Sequence, residues 1–339
     1  MHDGAVTDFA PVRPPGSSSR PVDAAWLVDD LERWVNNEPL RALVSAFGDS
    51  RMQNGGLGVR LRWLEKFTAA HWDFRQGRER DYIEHVQLEP AVDALVIEAA
   101  ASLGLRGSTV PSVTKYDHVL ILGGLVRACV LRTRYAAQLQ AAGLRSTTTT
   151  ALTAFRPISE KERKVLAAIG FKPSVDNEVH AMEEGLVAAY GLSGQEPQTE
   201  GSPGDEGFAT WLKRSWPPSD GAGPTVQLVV APSPVPKERR ANSADTYEFW
   251  ADEIQRLDPG DSVLLVTSAI YVPYQGCDAV RMLALPRGVS VETVGLDNTD
   301  PEQGALRQTF RAPHYLQELR STVRAAVNLY EAAEATVAG

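Results

Sequence analysis

Cysteine is nearly missing from this chain: Cys129 and Cys277 stand alone, far apart in sequence. Without CxxC spacing they indicate neither a disulfide framework nor a cysteine-based zinc site. The six histidines are scattered and form no HxxH or HExxH pair, which argues against a histidine-held metal. Three phosphate and nucleophile signatures are absent too. There is no GxGxxG dinucleotide fingerprint, no GxxxxGK[ST] phosphate loop and no GxSxG elbow. Positive charge is also short: the net charge is −9, which disfavours broad binding to nucleic acid or anionic membrane while leaving room for a local basic pocket. No apolar run approaches the roughly 18 residues needed to span a bilayer. Residues 1–22 are rich in Pro, Gly and Ser and lack the apolar core of a secretory signal, so they are expected to be disordered. A cytoplasmic protein without membrane or nucleic-acid partners is the resulting expectation.

What is present is an ordinary globular composition, 43% hydrophobic and 23% charged, enough for a large core and for two domains or one domain with an elaboration. From Asp23 to about residue 107 the apolar positions follow a helical period, as in Trp26, Leu27, Leu31, Trp34 and Val35. A helical subdomain is predicted there. Its basic residues, Arg60, Arg62 and Arg75 among them, read either as a solvated helix surface with acidic partners or as a wall or lid over an anionic ligand.

Beyond residue 117 the pattern changes to strands alternating with helices. His118 to Leu122 is a short apolar strand ending in Gly123-Gly124 and running into a helix through Val126 and Val130. Thr148 to Ala154 reads as a second strand, followed by a helix from about Ser159 with Glu162 at capping-box spacing. The helix EVHAMEEGLVAAY is closed by Gly191. Residues 193–224 are dominated by turn formers and acids and are read as a surface insertion. Val226 to Ala231 is a third strand; a helix then starts near NSADT with Asn242 or Ser243 as N-cap. VLLVTS makes a fourth strand, Pro273 to Leu285 a helix, Val289 to Val294 a fifth strand, and a long helix begins near Pro313. This alternation predicts a doubly wound, mainly parallel, Rossmann-like α/β domain over 117–339.

In such sheets ligands bind at the carboxyl ends of the strands. Those ends carry Gly123-Gly124, Phe155-Arg156, Pro232-Ser233, and Thr267-Ser268 with Tyr271. Glycines let backbone amides approach a ligand, and the following helix N-terminus favours an anion. Arg127, Arg132 and Arg156, with Lys237, Arg239 and Arg240, predict an anion-binding cleft, because guanidinium groups match carboxylate or phosphate. Glu178, Glu183 and Asp245 are acid–base candidates and Tyr271 a proton donor. Glu178 and Asp245 are explained equally well as acids that counter a helix dipole. Ser268 has no identifiable histidine base.

Gly123-Gly124 after a strand, RTRYAAQLQAAG from Arg132, EVHAMEEGL, NSADT and VLLVTSAIYVP, in that order, resemble the YdcF-like group that includes SanA and ElyC. The resemblance spans roughly residues 117–296. It implies a Rossmann-like fold and ligand-site roles for Gly123, Gly124, Asn242, Asp245, Thr246, Thr267 and Ser268, with S-adenosylmethionine or a nucleotide as possible ligand. This chain departs at Phe155-Arg156, where the group has glycines, and at Tyr271 and Gln275, where it has His and Arg. It also lacks the membrane anchor of some members. The expected function is an enzyme acting on a nucleotide-like or other anionic small molecule by group transfer or hydrolysis. The alternatives are a non-catalytic sensor and a protein that docks a partner through its helical subdomain.

Overall fold

The computed structural model describes residues 9–48, 54–75, 83, 85–172, 174–202, 207–218, 221 and 223–338. Four helices come first: α1 (Ala24–Val35), α2 (Glu38–Ala46), α3 (Leu57–His71) and α4 (Pro90–Ser102). Asp23 caps α1 and Asn37 caps α2, each accepting from a backbone amide three residues on. The α/β part follows as β1 (His118–Leu122), α5 (Val126–Ala141), β2 (Thr148–Thr153), α6 (Glu160–Ala168) and α7 (Glu178–Tyr190). Then come β3 (Gln198–Gly201), β4 (Leu212–Trp216), β5 (Thr225–Val230), α8 (Ser243–Phe249) and β6 (Ser262–Ser268). The chain ends with α9 (Val272–Ala279), α10 (Leu285–Arg287), β7 (Ser290–Leu296) and α11 (Ala312–Ala338). A π-helical stretch, Val280–Ala284, joins α9 to α10, so the helix predicted from Pro273 continues to Arg287 with a widened turn inside it.

Among the described residues the strands form one sheet in the order β3-β4-β5-β2-β1-β6-β7. The run β5-β2-β1-β6-β7 is parallel throughout. Numbered by chain order among themselves, these five strands read 3-2-1-4-5, the Rossmann arrangement, with its switch point between β1 and β6. Alternate residues serve opposite faces. Leu120, Val263, Leu265 and Val291 join one core, while Val119, Ile121, Leu264, Val266 and Val294 join the other.

The second face is covered by α5, α6 and α7. The first is covered by α9 and α11, and onto α11 pack α1, α3 and α4. The N-terminal helices are therefore an outer part of the same core rather than a separate body. Their basic residues find carboxylates: Arg60 pairs with Glu32, Arg62 lies 3.9 Å from Glu331 and Arg75 2.6 Å from Glu318. This is the solvated, acid-partnered surface, and none of these residues lines the cleft described below.

Two expectations are corrected. Within 193–224, read as a surface insertion, β3 and β4 form an antiparallel pair that extends the sheet, with β4 antiparallel to β5. The free hydrogen-bonding edge of β5 and the burial of Ser215 and Trp216 at the end of β4 outweigh the turn-rich composition. Residues 9–22, expected to be disordered, are held in place. Val12 donates to the Ser102 carbonyl (2.8 Å), the Gly16 amide to Asp30 (2.8 Å) and the Ser18 amide to the Val291 carbonyl on the outer edge of β7 (2.9 Å). With Thr109 donating to the Gly295 carbonyl at 2.8 Å, that edge is closed against strand addition. Residues 1–8 lie outside the described residues.

Gly295 on β7 permits the turn after β6 to lie against the sheet. A Cβ there would come within 2.6 Å of the Ala269 Cα and 2.8 Å of its nitrogen. Gly295→Ala is expected to cost about 2 kcal/mol by overpacking. Gly56→Ala, where nothing lies within 4 Å, should change stability by less than about 0.5 kcal/mol. Urea unfolding of both variants checks the pair; equal midpoints would refute the close-packing account.

Candidate functional site

At the switch point the chain leaves β1 through Gly123-Gly124 into α5, and leaves β6 through Ala269–Tyr271 into α9. Between these turns lies a cleft lined by Gly123, Gly124, Leu125, Ala128, Arg132, Tyr271, Tyr274, Gln275 and Gln308. Its cavity volume is about 70 Å³. That is well below the roughly 300–1,000 Å³ of pockets that enclose a drug-sized ligand, so a ligand of that size would extend beyond the mouth.

Arg132 bridges the two turns. It is 2% exposed, and its Nη1 donates to the carbonyls of Leu122 (2.8 Å) and Gly123 (2.6 Å) while Nε donates to the Ser268 hydroxyl (3.1 Å). Its guanidinium carbon lies 5.6 Å from the centre of the Tyr271 ring. Ser268 is thus an acceptor beneath the cleft. Thr267 is equally buried and donates to the Gln275 side-chain oxygen, fixing which way that amide faces.

Behind the β1 turn sits a second arginine cluster. Arg156 spends all five of its N–H donors inside the protein: on Glu178 (2.9 Å), on both oxygens of Glu162 (3.0 and 2.8 Å), and on the carbonyls of Pro157 (3.2 Å) and Gly124 (3.1 Å). Glu162 closes its own capping box with Ser159 and also accepts from the Val126 amide at the start of α5 (3.1 Å). Burial pushes the Glu162 carboxyl up, but the Arg156 hydrogen bonds, the Ser159 and Val126 amides and the Arg156 charge outweigh it, and the pKa falls to about 2. Glu178 goes the other way. Its complete burial raises the pKa above the usual carboxylate range, and Arg156, Arg240 and Thr153 offset only part of that. Gly123 is a glycine because of this cluster: a Cβ would lie 2.4 Å from Glu178 Oε1 and 2.7 Å from the Leu152 carbonyl oxygen.

The candidates named from sequence therefore divide. Gly123, Gly124, Arg132, Tyr271 and Gln275 line one cleft, with Thr267 and Ser268 directly under it. Arg156 and Glu178 stand behind the glycine turn, engaged with each other. Arg127 reaches sideways to the Ala305 carbonyl (3.2 Å). Asn242, Asp245 and Thr246 build the start of α8. Asn242 and Asp245 form a reciprocal capping box, Arg239 clamps Asp245, and the Thr246 hydroxyl donates to the Asn242 carbonyl (2.8 Å). Burial raises the Asp245 carboxyl, yet the Arg239 hydrogen bonds and the Asn242 amide hold it below the ordinary range. Glu183 pairs with Arg214 on β4. Arg240, 3.7 Å from Glu178, links the α8 loop to the cluster behind the cleft.

Leu125, Ala128, Tyr274 and Gln308 line the cleft without having been singled out. Gln308 follows β7, so applying the strand-end rule to that last strand would have found it. Tyr274 stands one helical turn after Tyr271. Glu162 was legible as a cap of α6, but not as a cap of α5, since that contact spans 36 residues.

Fold and site define a Rossmann-like α/β protein with a cleft at the switch point and helices added before the sheet. Residues 18–104 match the family model described as the Rv3785 N-terminal domain, which here covers the segment from Ser18 through α4. The chain is 32% identical over 333 residues to the uncharacterized proteins Rv3785 and MT3893 of Mycobacterium tuberculosis and Mb3814 of Mycobacterium bovis. These alignments cover 91% of this chain and 90% of each relative, and the chain belongs to the Rv3785 family. No solved structure matches it.

The Glu162 carboxyl makes a pH prediction with a definite sign. Its folded pKa, about 2, lies below the 4.5 of a free glutamate side chain, so its contribution is complete above pH 4.5 and is lost as pH falls toward 2. The contribution is on the order of 3 kcal/mol. Glu162→Gln should remove that part of the acid-side loss. Urea unfolding at steps from pH 6 to pH 2.5 measures it: wild type and variant should differ most at pH 6 and converge toward pH 2.5. A constant difference would refute the assignment.

Proposed function

We propose that this protein binds a small organic molecule in the switch-point cleft and acts on it by group transfer or hydrolysis. The observation that carries this reading is convergence: Gly123, Gly124 and Arg132 after one strand and Tyr271 after another, each flagged from its strand end, line one cleft together with Gln275, a position where the chain departs from the YdcF-like group. The resemblance of residues 117–296 to the YdcF-like group supports a nucleotide or S-adenosylmethionine as ligand. Tyr271 is the proton donor in this scheme, since it borders the free space. Gln275, Gln308 and Tyr274 orient the ligand. Arg132 positions both turns, while Glu178 and Asp245 act as positioning groups, being bound to Arg156 and Arg239. The acidic net charge and the absence, among the described residues, of any helix long and apolar enough to cross a membrane support a cytoplasmic protein without nucleic-acid or membrane partners.

A second reading, a ligand sensor without turnover, is favoured by one fact. The two carboxylates best suited to general base work are already committed to arginines.

Mass spectrometry of ligand released from the purified protein, joined to a thermal-shift screen of nucleotides, S-adenosylmethionine and sugar phosphates, tests both readings. A ligand at 100 times its Kd should stabilise by about 2.7 kcal/mol. Gln275→Ala and Tyr274→Ala are expected to weaken binding at least about tenfold, a loss of about 1.4 kcal/mol. Tyr271→Phe should retain affinity and lose turnover; if ligand binds and no turnover exists to lose, the sensor reading holds. A shift that survives both Gln275→Ala and Tyr274→Ala, or no shift with any compound, sinks the cleft.

A further inference from the structure

In a Rossmann-type βα unit, the place that receives a ligand's phosphate is the glycine turn and the first amides of the helix after it. Here that place belongs to the protein. The Val126 amide, first residue of α5, donates to Glu162 Oε1 at 3.1 Å. The same oxygen accepts from Arg156 at 2.8 Å, and the other from Arg156 at 3.0 Å and the Ser159 amide at 3.0 Å. Arg156 in turn holds the Gly124 carbonyl at 3.1 Å, so the turn is tied to the carboxylate through two routes. Glu162 is 5% exposed, and no cap for α5 comes from its own N-cap residue, Leu125.

We propose that Glu162 is the resident anion of the β1–α5 turn and thereby sets the ligand class: the cleft accepts a molecule that places no phosphate at the start of α5. A phosphate arriving there would have to displace a carboxylate held by a bidentate arginine, and would meet like charge until it did. The polar side chains lining the free space are two amides, Gln275 and Gln308, two phenols, Tyr271 and Tyr274, and one cation, Arg132, whose Nη1 and Nε donate to the Leu122 and Gly123 carbonyls and the Ser268 hydroxyl. Mainly neutral donors and acceptors beside a single arginine suit a zwitterionic or uncharged molecule with hydroxyl or heteroaromatic groups, which of the two ligands proposed above favours S-adenosylmethionine over a nucleotide. The inference rests on the cleft reading for its ligand class, but not for the occupancy of the turn, and the two can fail separately.

The experiment uses inorganic pyrophosphate as the probe, titrated into full-length wild type and Glu162→Ala at constant ionic strength. It is followed by calorimetry and by the amide resonance of Val126. Wild type is expected to show no binding in the millimolar range. Glu162→Ala should gain a site at least about tenfold tighter than any in wild type, and its melting temperature should rise with pyrophosphate while that of wild type does not. Glu162→Gln keeps the side chain's shape and gives up its charge; it should show the same gain more weakly, which keeps the test open if the alanine variant does not fold. Two results overturn the proposal: pyrophosphate binding to wild type with a shift of the Val126 amide, or no gain of anion binding in either variant. Neither result depends on Tyr274 or Gln275, whose substitution tests the cleft itself.

Discussion

A parallel sheet must be covered on both faces, and the rest of this molecule follows from that constraint. β1 and β2 are buried at every position and β6 at every position after its first residue, Ser262. The crossover helices α5 and α7, with α6, supply one cover. The other needs more material than the crossovers on that side provide. α9 and the long α11 lie there, and the N-terminal helices complete the layer, α1, α3 and α4 packing on α11 and α2 on α4. A helical segment that precedes the sheet in sequence thus belongs to its core in space. The same demand explains the N-terminal strap from Phe9 to Val22, which crosses the layer to reach the edge of β7.

Parallel strands also end together, leaving carbonyl oxygens at one edge of the sheet. Two arginines, Arg132 buried and Arg156 partly buried, meet them with different partners. Arg132 is held by the carbonyls of Leu122 and Gly123 and by the Ser268 hydroxyl, and it borders the cleft. Arg156 is held chiefly by carboxylates and stands behind the glycine turn. Removing a charged group from water is costly unless its hydrogen bonds are replaced, and each arrangement replaces them in a distinct way. The division of labour matters for function. One arginine shapes the free space, and the other fixes the turn that forms its wall.

Much of the fold was legible because strand and helix signals are local. HVLIL, TTTALT and VLLVTS read as strands from their β-branched and apolar runs, and the Ser159–Glu162 box and the Asn242 or Ser243 N-cap marked helix starts within a residue. β3 and β4 were not legible, since QTEG and LKRSW acquire strand form from the free edge of β5 rather than from their own pattern. At the site, the strand-end rule found Gly123, Gly124, Arg132 and Tyr271 because topology forces those positions to one edge, and the comparison with the YdcF-like group pointed to Gln275. Asn242, Asp245 and Thr246, for which that resemblance implied ligand-site roles, do not line the cleft and build the start of α8.

The sequence by itself determined the class of fold, the strand-end edge that carries the cleft and five of the nine residues that line it, because periodicity, capping and strand alternation act over short distances or by topological rule. What only the tertiary structure decided is how each charge is spent. Whether an arginine faces a ligand, a carbonyl or a carboxylate depends on groups 22 to 136 residues away, as with Arg156 on Glu178 and Arg132 on Ser268. Electrostatic energy is set by distance and burial in space, and neither can be read from spacing along the chain.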